Sequence, residues 1–135
     1  MSGPAQKRYI RRVAILTALF LAAFALITVI QSDAAEPGWL ALAIAILPGL
    51  AVIGVFWAIG RLIVEESDEF VRMLTIRQVL VASGLALSAA SVWGFLEAAS
   101  LVAHVDAYWY AVIWFGGLIV GSIINRVQHG AWGAA

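Results

Sequence analysis

Four carboxylates fall within five positions, Glu65, Glu66, Asp68 and Glu69, in the run Arg61-Leu-Ile-Val-Glu-Glu-Ser-Asp-Glu-Phe-Val-Arg72. Acidic side chains at that density can recruit a basic partner or a divalent cation. A cation needs oxygen ligands at a regular loop spacing, which this run lacks, so the functional expectation is partner docking through Glu65, Glu66, Asp68, Glu69 and Arg72. A purely structural role competes with it. Ser67 can cap a helix whose first turn holds Asp68 and Glu69, where acids meet the positive end of the helix dipole. Asp68 and Arg72 also stand four apart in the favourable acid-first order, and Glu65 and Glu69 stand four apart as like charges.

The second candidate is Glu97, which follows Trp93-Gly-Phe-Leu near the predicted C-terminal end of a helix. A carboxylate there faces the unfavourable end of the dipole and needs donors. His104 is the nearby cation candidate, so Glu97 and His104 form a possible ion or proton site; a hydrated Glu97 at a membrane boundary is the plainer alternative. Catalysis finds no such footing. There is no Ser/His/Asp set, H-E-x-x-H, P-loop or Rossmann fingerprint. The absence of cysteine removes thiol nucleophiles, Cys-ligated zinc and iron–sulfur clusters. No enzyme activity, metal or cofactor is expected. His104 and His129 fall on opposite sides of the predicted membrane, roughly 30 Å apart, and cannot ligate one haem iron.

These residues are placed by what surrounds them. The chain of 135 residues is 64% hydrophobic and 12% charged, with a mean hydropathy of +0.99, far from the soluble average. Its eight basic and eight acidic residues cancel, so no excess charge steers a nucleic acid. Uncharged gaps of 20, 24, 19 and 19 residues separate Arg12 from Asp33, Glu36 from Arg61, Arg77 from Glu97, and Asp106 from Arg126. A membrane-crossing helix needs about 20 apolar residues. The runs are apolar on every face, without the alternation of a barrel strand, and only a helix satisfies every backbone amide within one segment in lipid.

The predicted fold is therefore all-α, a polytopic membrane protein with four transmembrane helices in an antiparallel bundle. The expected spans are about 11–32, 38–62, 77–98 and 107–126, within a single transmembrane domain 1–135, and the acidic segment 62–76 forms a cytoplasmic loop and helix start. All eight Lys and Arg lie before the first span, between the second and third, or after the fourth, which predicts both termini and the acidic segment in the cytoplasm. The start imitates a signal peptide with Ser32-Asp33-Ala34 at the cleavage position, but the apolar run exceeds a typical h-region of roughly 7–15 residues, so an uncleaved first helix is expected. Pro48-Gly49 falls mid-span and predicts a kink.

Helices in lipid associate through small residues that let backbones approach. Ala82, Ala86, Ala90, Gly94 and Ala98 recur every four residues in the third span, and Gly117 and Gly121 have GxxxG spacing in the fourth. The third and fourth helices are expected to make the tightest contact. Spacing leaves open whether the close partner belongs to the same chain or a second copy. Near the end of the fourth helix, Asn125, Arg126 and the tail to Trp132 are placed to touch anionic headgroups.

The combination of Leu47-Pro48, Trp57-Ala-Ile-Gly-Arg61, Glu65-Glu-Ser-Asp-Glu-Phe-Val-Arg-Met-Leu74, Trp93-Gly-Phe-Leu-Glu97, and Gly117-Leu-Ile-Val-Gly121 with Asn125-Arg126 resembles a group of small four-span bacterial inner-membrane proteins. The resemblance covers residues 7–127, and Glu-Glu-x-Asp-Glu-Phe-x-Arg is its most specific part. It implies a multi-pass protein of the bacterial inner membrane and transfers no catalytic residue.

The functional expectation is a non-enzymatic accessory subunit among membrane lipids. It docks an unknown protein partner through the acidic segment and self-associates through its small-residue faces. The alternative is a small oligomeric transporter or channel using Glu97; a lipid- or quinone-binding helper rests only on the aromatic residues near the helix ends. No charge falls at the centre of any span, which weighs against a proton-coupled exporter.

Overall fold

The computed structural model describes residues 3–33 and 38–133. These residues form four helices, α1 Pro4–Asp33, α2 Trp39–Glu65, α3 Glu69–Ala98 and α4 Tyr108–His129. All four are long and apolar enough to cross a membrane, so the chain is all-helical and compatible with a multi-pass membrane protein. Ala34 and Glu36 of the first connection lie outside the described residues.

The helices outrun the charge-bounded spans. α1 begins at Pro4, α2 continues to Glu65 and α3 begins at Glu69, because Lys, Arg and Glu are good helix formers and a charge marks the edge of an apolar run, not the end of a helix. At about 1.5 Å per residue, the 30 residues of α3 extend about 45 Å, against about 30 Å of hydrocarbon. The segment expected as an acidic loop and helix start over 62–76 is the last turn of α2, three linking residues and the first turns of α3. α2 runs through Pro48 without interruption.

Two compact units divide the chain after Glu65. Met1–Glu65 is a hairpin of α1 and α2, and its antiparallel register shows in side chains: Leu16 lies against Gly54, Arg12 over Trp57, and Arg8 on Glu65. Ala51, Val55, Ala58, Ile59 and Leu62 are its buried positions on α2, the three-and-four spacing of a single helix face.

Glu66–Ala135 is the second unit, in which α3 and α4 are also antiparallel. A Cβ built on Gly117 would fall 2.6 Å from Ala82 Cα, and one built on Gly121 would fall 2.8 Å from Gln78 Cα. The two backbones therefore touch where hydrogen alone fits. Leu74, Gln78, Ala82 and Ala86 are buried along α3, and Trp114, Gly117, Gly121 and Asn125 along α4. Ala90 is half-buried and Gly94 is exposed, with nothing within 4 Å of where its Cβ would project. The small-residue stripe of α3 thus makes backbone contact only at its N-terminal half.

Candidate functional site

The acidic segment is divided between the units, and each of its carboxylates has a task. Glu65 closes α2 and collects three guanidinium groups: Arg61 on its own helix, one turn back, and Arg8 and Arg12 from α1. Arg8 Nε lies 3.0 Å from Oε2, and Arg12 Nη2 and Arg61 Nη2 lie 3.4 and 2.5 Å from Oε1. The spacing of Arg8 and Arg12 by four puts both on one face of α1. The Arg12 guanidinium also stands 5.1 Å above the Trp57 ring, within cation–π range.

Asp68 rather than Ser67 is the N-cap of α3. Its φ of −84° and ψ of 110° are extended, and its carboxylate accepts from Phe70 N and Val71 N. A carboxylate satisfies two orphan amides and also meets the positive end of the dipole, whereas a hydroxyl does only the former. With Asp68 so engaged, Arg72 pairs instead with Glu69, Nη1 to Oε1 at 2.9 Å, and donates through Nη2 to the Glu66 carbonyl. Glu66 is buried, and its carboxylate accepts from Asp68 N at 3.1 Å. Glu65 and Glu69 are the last residue of one helix and the first of the next, so their spacing of four is not a helical turn. Glu69, though paired with Arg72, keeps 86% of its side chain exposed.

Behind Glu69, the first turns of α3 expose Phe70, Met73 and Ile76. These apolar side chains precede the uncharged run that begins after Arg77. Arg77 itself donates to Gln128 Oε1 of α4 at 2.5 Å.

Glu97 and His104 are brought together at the other end of the second unit. Glu97 Oε1 accepts from Val105 N at 2.8 Å, and His104 Nδ1 lies 3.0 Å from Oε2. These are the donors that a carboxylate at a helix C-terminus requires. His104 Nε2 is 3.5 Å from Asp106, so the imidazole stands between two carboxylates. The hydrogen bond and charge of Glu97, reinforced by Asp106, hold the His104 pKa above the ordinary histidine value. The turn that presents it is a Schellman motif: Ser100 N bonds to Glu97 O and Leu101 N to Leu96 O, with Ser100 at a φ of 59°. Beside it, Ala89, Val92, Trp93, Val105, Tyr110 and Ile113 line an open apolar groove of about 300 Å³, and Trp93 Nε1 donates to Ala103 O.

A polar layer lies inside the second unit, and it corrects the expectation that Asn125 reaches lipid headgroups, because the residue is 1% exposed and faces α3. Gln78 and Asn125 are buried in the helix contact; Gln78 Nε2 donates to Leu118 O at 3.0 Å and Asn125 Nδ2 to Leu74 O at 2.9 Å. Gln78 Oε1 accepts no hydrogen bond among the described residues. The available signal was that they are the strongly polar side chains inside the uncharged gaps of the third and fourth spans.

The chain matches no family model, no curated protein and no solved structure.

Proposed function

We propose that the chain is a non-enzymatic accessory subunit of a bacterial inner membrane, crossing it four times as an antiparallel bundle with both termini cytoplasmic, and docking a protein partner through the start of α3. The observation that carries this reading is the overhang of α3. Glu66, Asp68 and Arg72 fix the start of the helix, while Glu69, Phe70, Met73 and Ile76 stand exposed ahead of the uncharged run. An acidic residue beside exposed apolar ones on a rigid helix suits a partner helix with a basic, apolar face. The distribution of all eight Lys and Arg supports the orientation, and the resemblance to small four-span inner-membrane proteins supports the compartment. The exposed apolar faces of the spans leave room for self-association.

The docking reading is tested by co-purification from native membranes in mild detergent. Wild type retains a stoichiometric partner, and the Glu69→Lys/Met73→Ser variant, which leaves the Asp68 cap and the Glu65 cluster intact, loses it. Equal recovery of every companion protein by both would refute docking at this face.

A second reading, a small oligomeric transporter or channel, draws support from one observation, the imidazole of His104 held between Glu97 and Asp106. Its test is flux in reconstituted vesicles: Glu97→Gln changes the rate or its pH dependence if the site gates an ion. Identical flux at every pH removes Glu97 from that role.

A further inference from the structure

We infer that the polar end of the first unit is a binding site for the headgroup of an anionic phospholipid, formed by Arg8, Arg12 and Arg61 around Glu65. One carboxylate faces three guanidinium groups, so the cluster retains two positive charges after internal pairing. Lys7 and Arg11, both exposed on the same helix turns, add to them.

The carboxylate is mostly covered and the outer guanidinium groups are not. The Glu65 side chain is 13% exposed, against 47% for Arg8 and 49% for Arg61. Glu65 thereby fixes the direction of the arginines without occupying their outward face. Arg8 reaches Glu65 through Nε, leaving its two terminal amino groups to donate elsewhere. A guanidinium fork with free N–H groups matches phosphate oxygens in pairs.

Position selects the source of the phosphate. The cluster lies beside the uncharged runs that begin after Arg12 and end before Arg61, with Trp57 exposed under the Arg12 guanidinium. Tryptophan and arginine together mark the membrane–water boundary, the level of the headgroups. Ile15, Leu19 and Ile53 are exposed within those uncharged runs, where acyl chains can pack and a free phosphate ion gains nothing. The surplus charge favours an anionic headgroup over a zwitterionic one. The inference rests on the membrane reading alone; it holds whichever side this end faces, and it is independent of partner docking at α3.

The test uses the full chain in neutral detergent, titrated separately with phosphatidylglycerol, phosphatidylcholine and inorganic phosphate, and read by lipid retention in native mass spectrometry. Phosphatidylglycerol is retained on the order of 30-fold better than phosphatidylcholine, and the Arg8→Gln/Arg61→Gln variant loses that preference by about 30-fold, on the basis of about 1 kcal/mol for each basic residue near the surface. The Arg8→Lys/Arg61→Lys variant keeps the charge and the ion pairs but not the fork; it shows a loss of several-fold, and it decides the matter if the glutamine variant does not fold. Arg77→Gln, in the other unit, leaves retention unchanged. Equal retention of the two lipids, or retention untouched by either double variant, would overturn the site. Inorganic phosphate that competes as strongly as phosphatidylglycerol would overturn the assignment to a lipid.

Discussion

The two helical hairpins of this chain are held by opposite means. In α3 and α4 the contact is central and neutral. Gly117 and Gly121 let the backbones touch at Ala82 and Gln78, and that proximity allows the Gln78 and Asn125 amides to reach carbonyl oxygens of the facing helix. In α1 and α2 a leucine, Leu16, lies against Gly54, and among the described residues the polar connection is at one end, where Glu65 gathers Arg8, Arg12 and Arg61. The contrast shows how side-chain volume decides where polar groups can serve. Glycine against backbone brings carbonyls within reach of short amides, whereas at Gly54 a leucine side chain fills the space and the pinning falls to long charged side chains beyond the apolar region. One hairpin should therefore be sensitive to added methyl groups, the other to salt.

The largest effect expected from this contrast is at Gly117. Gly117→Ala places a methyl group against backbone, not a yielding side chain, and should lower the stability of the second hairpin by about 1–3 kcal/mol, the usual cost of overpacking. Gly84→Ala on α3, where nothing lies within 4 Å, is the matched control and should be neutral or slightly stabilising by helix propensity. Equal melting of both variants in detergent would mean that the close approach is not structural.

Asn125→Leu comes next. It keeps similar bulk but removes the donor to Leu74 O, and should cost about 0.6–2 kcal/mol, the range for interhelical hydrogen bonds in membranes. Measurement by reversible unfolding in mixed micelles decides it, and a stabilised variant would show that the amide is not needed at this contact.

Glu65→Gln sharpens the other side of the comparison. It leaves three guanidinium groups facing one another without a counter-charge, so the variant should melt below wild type in dilute buffer, with the gap closing as salt screens the repulsion. Asn125→Leu should show no such salt dependence. Parallel salt curves for the two variants would erase the distinction between the hairpins.

The smallest effect is at His104. Glu97 raises its pKa, so the folded state holds the proton more tightly than the unfolded one. The contact contributes fully below the ordinary histidine value and fades as pH rises through the raised value. Hydrogen exchange at the Val105 amide should accelerate across that window in wild type. In Glu97→Gln the imidazole should titrate at a lower pH, as an NMR titration of the ring protons would show; an unchanged titration would detach His104 from Glu97.

Much of the helical framework was legible because lipid-compatible segments announce themselves: uncharged runs bounded by Arg12, Glu36, Arg77 and Asp106 can cross only as helices. The proximity of Glu97 and His104 was also legible, since a seven-residue separation across a tight turn leaves few alternatives. The meeting of Glu65 with Arg8 and Arg12 was not, because residues more than fifty apart meet only once the register of α1 on α2 is known, and register is a property of packing. The full lengths of the helices were less legible than the spans. Uncharged runs mark only the lipid-facing part of each helix, since charged side chains such as Lys7 and Arg8 extend a helix into water without breaking it. Asp68 and Ser67 both suit a cap, and their order was decided by which side chain could reach the amides of Phe70 and Val71.

The central claim, that the start of α3 and the basic end of α1 face the cytoplasm, is tested most directly by single cysteines in this cysteine-free chain, placed at Ser67 and at His104 and exposed in intact cells to a membrane-impermeant thiol reagent. The account predicts labelling at position 104 and none at position 67 until the membrane is opened. Labelling at position 67 in sealed cells with protection at position 104 would invert the topology and remove the docking face from the cytoplasm.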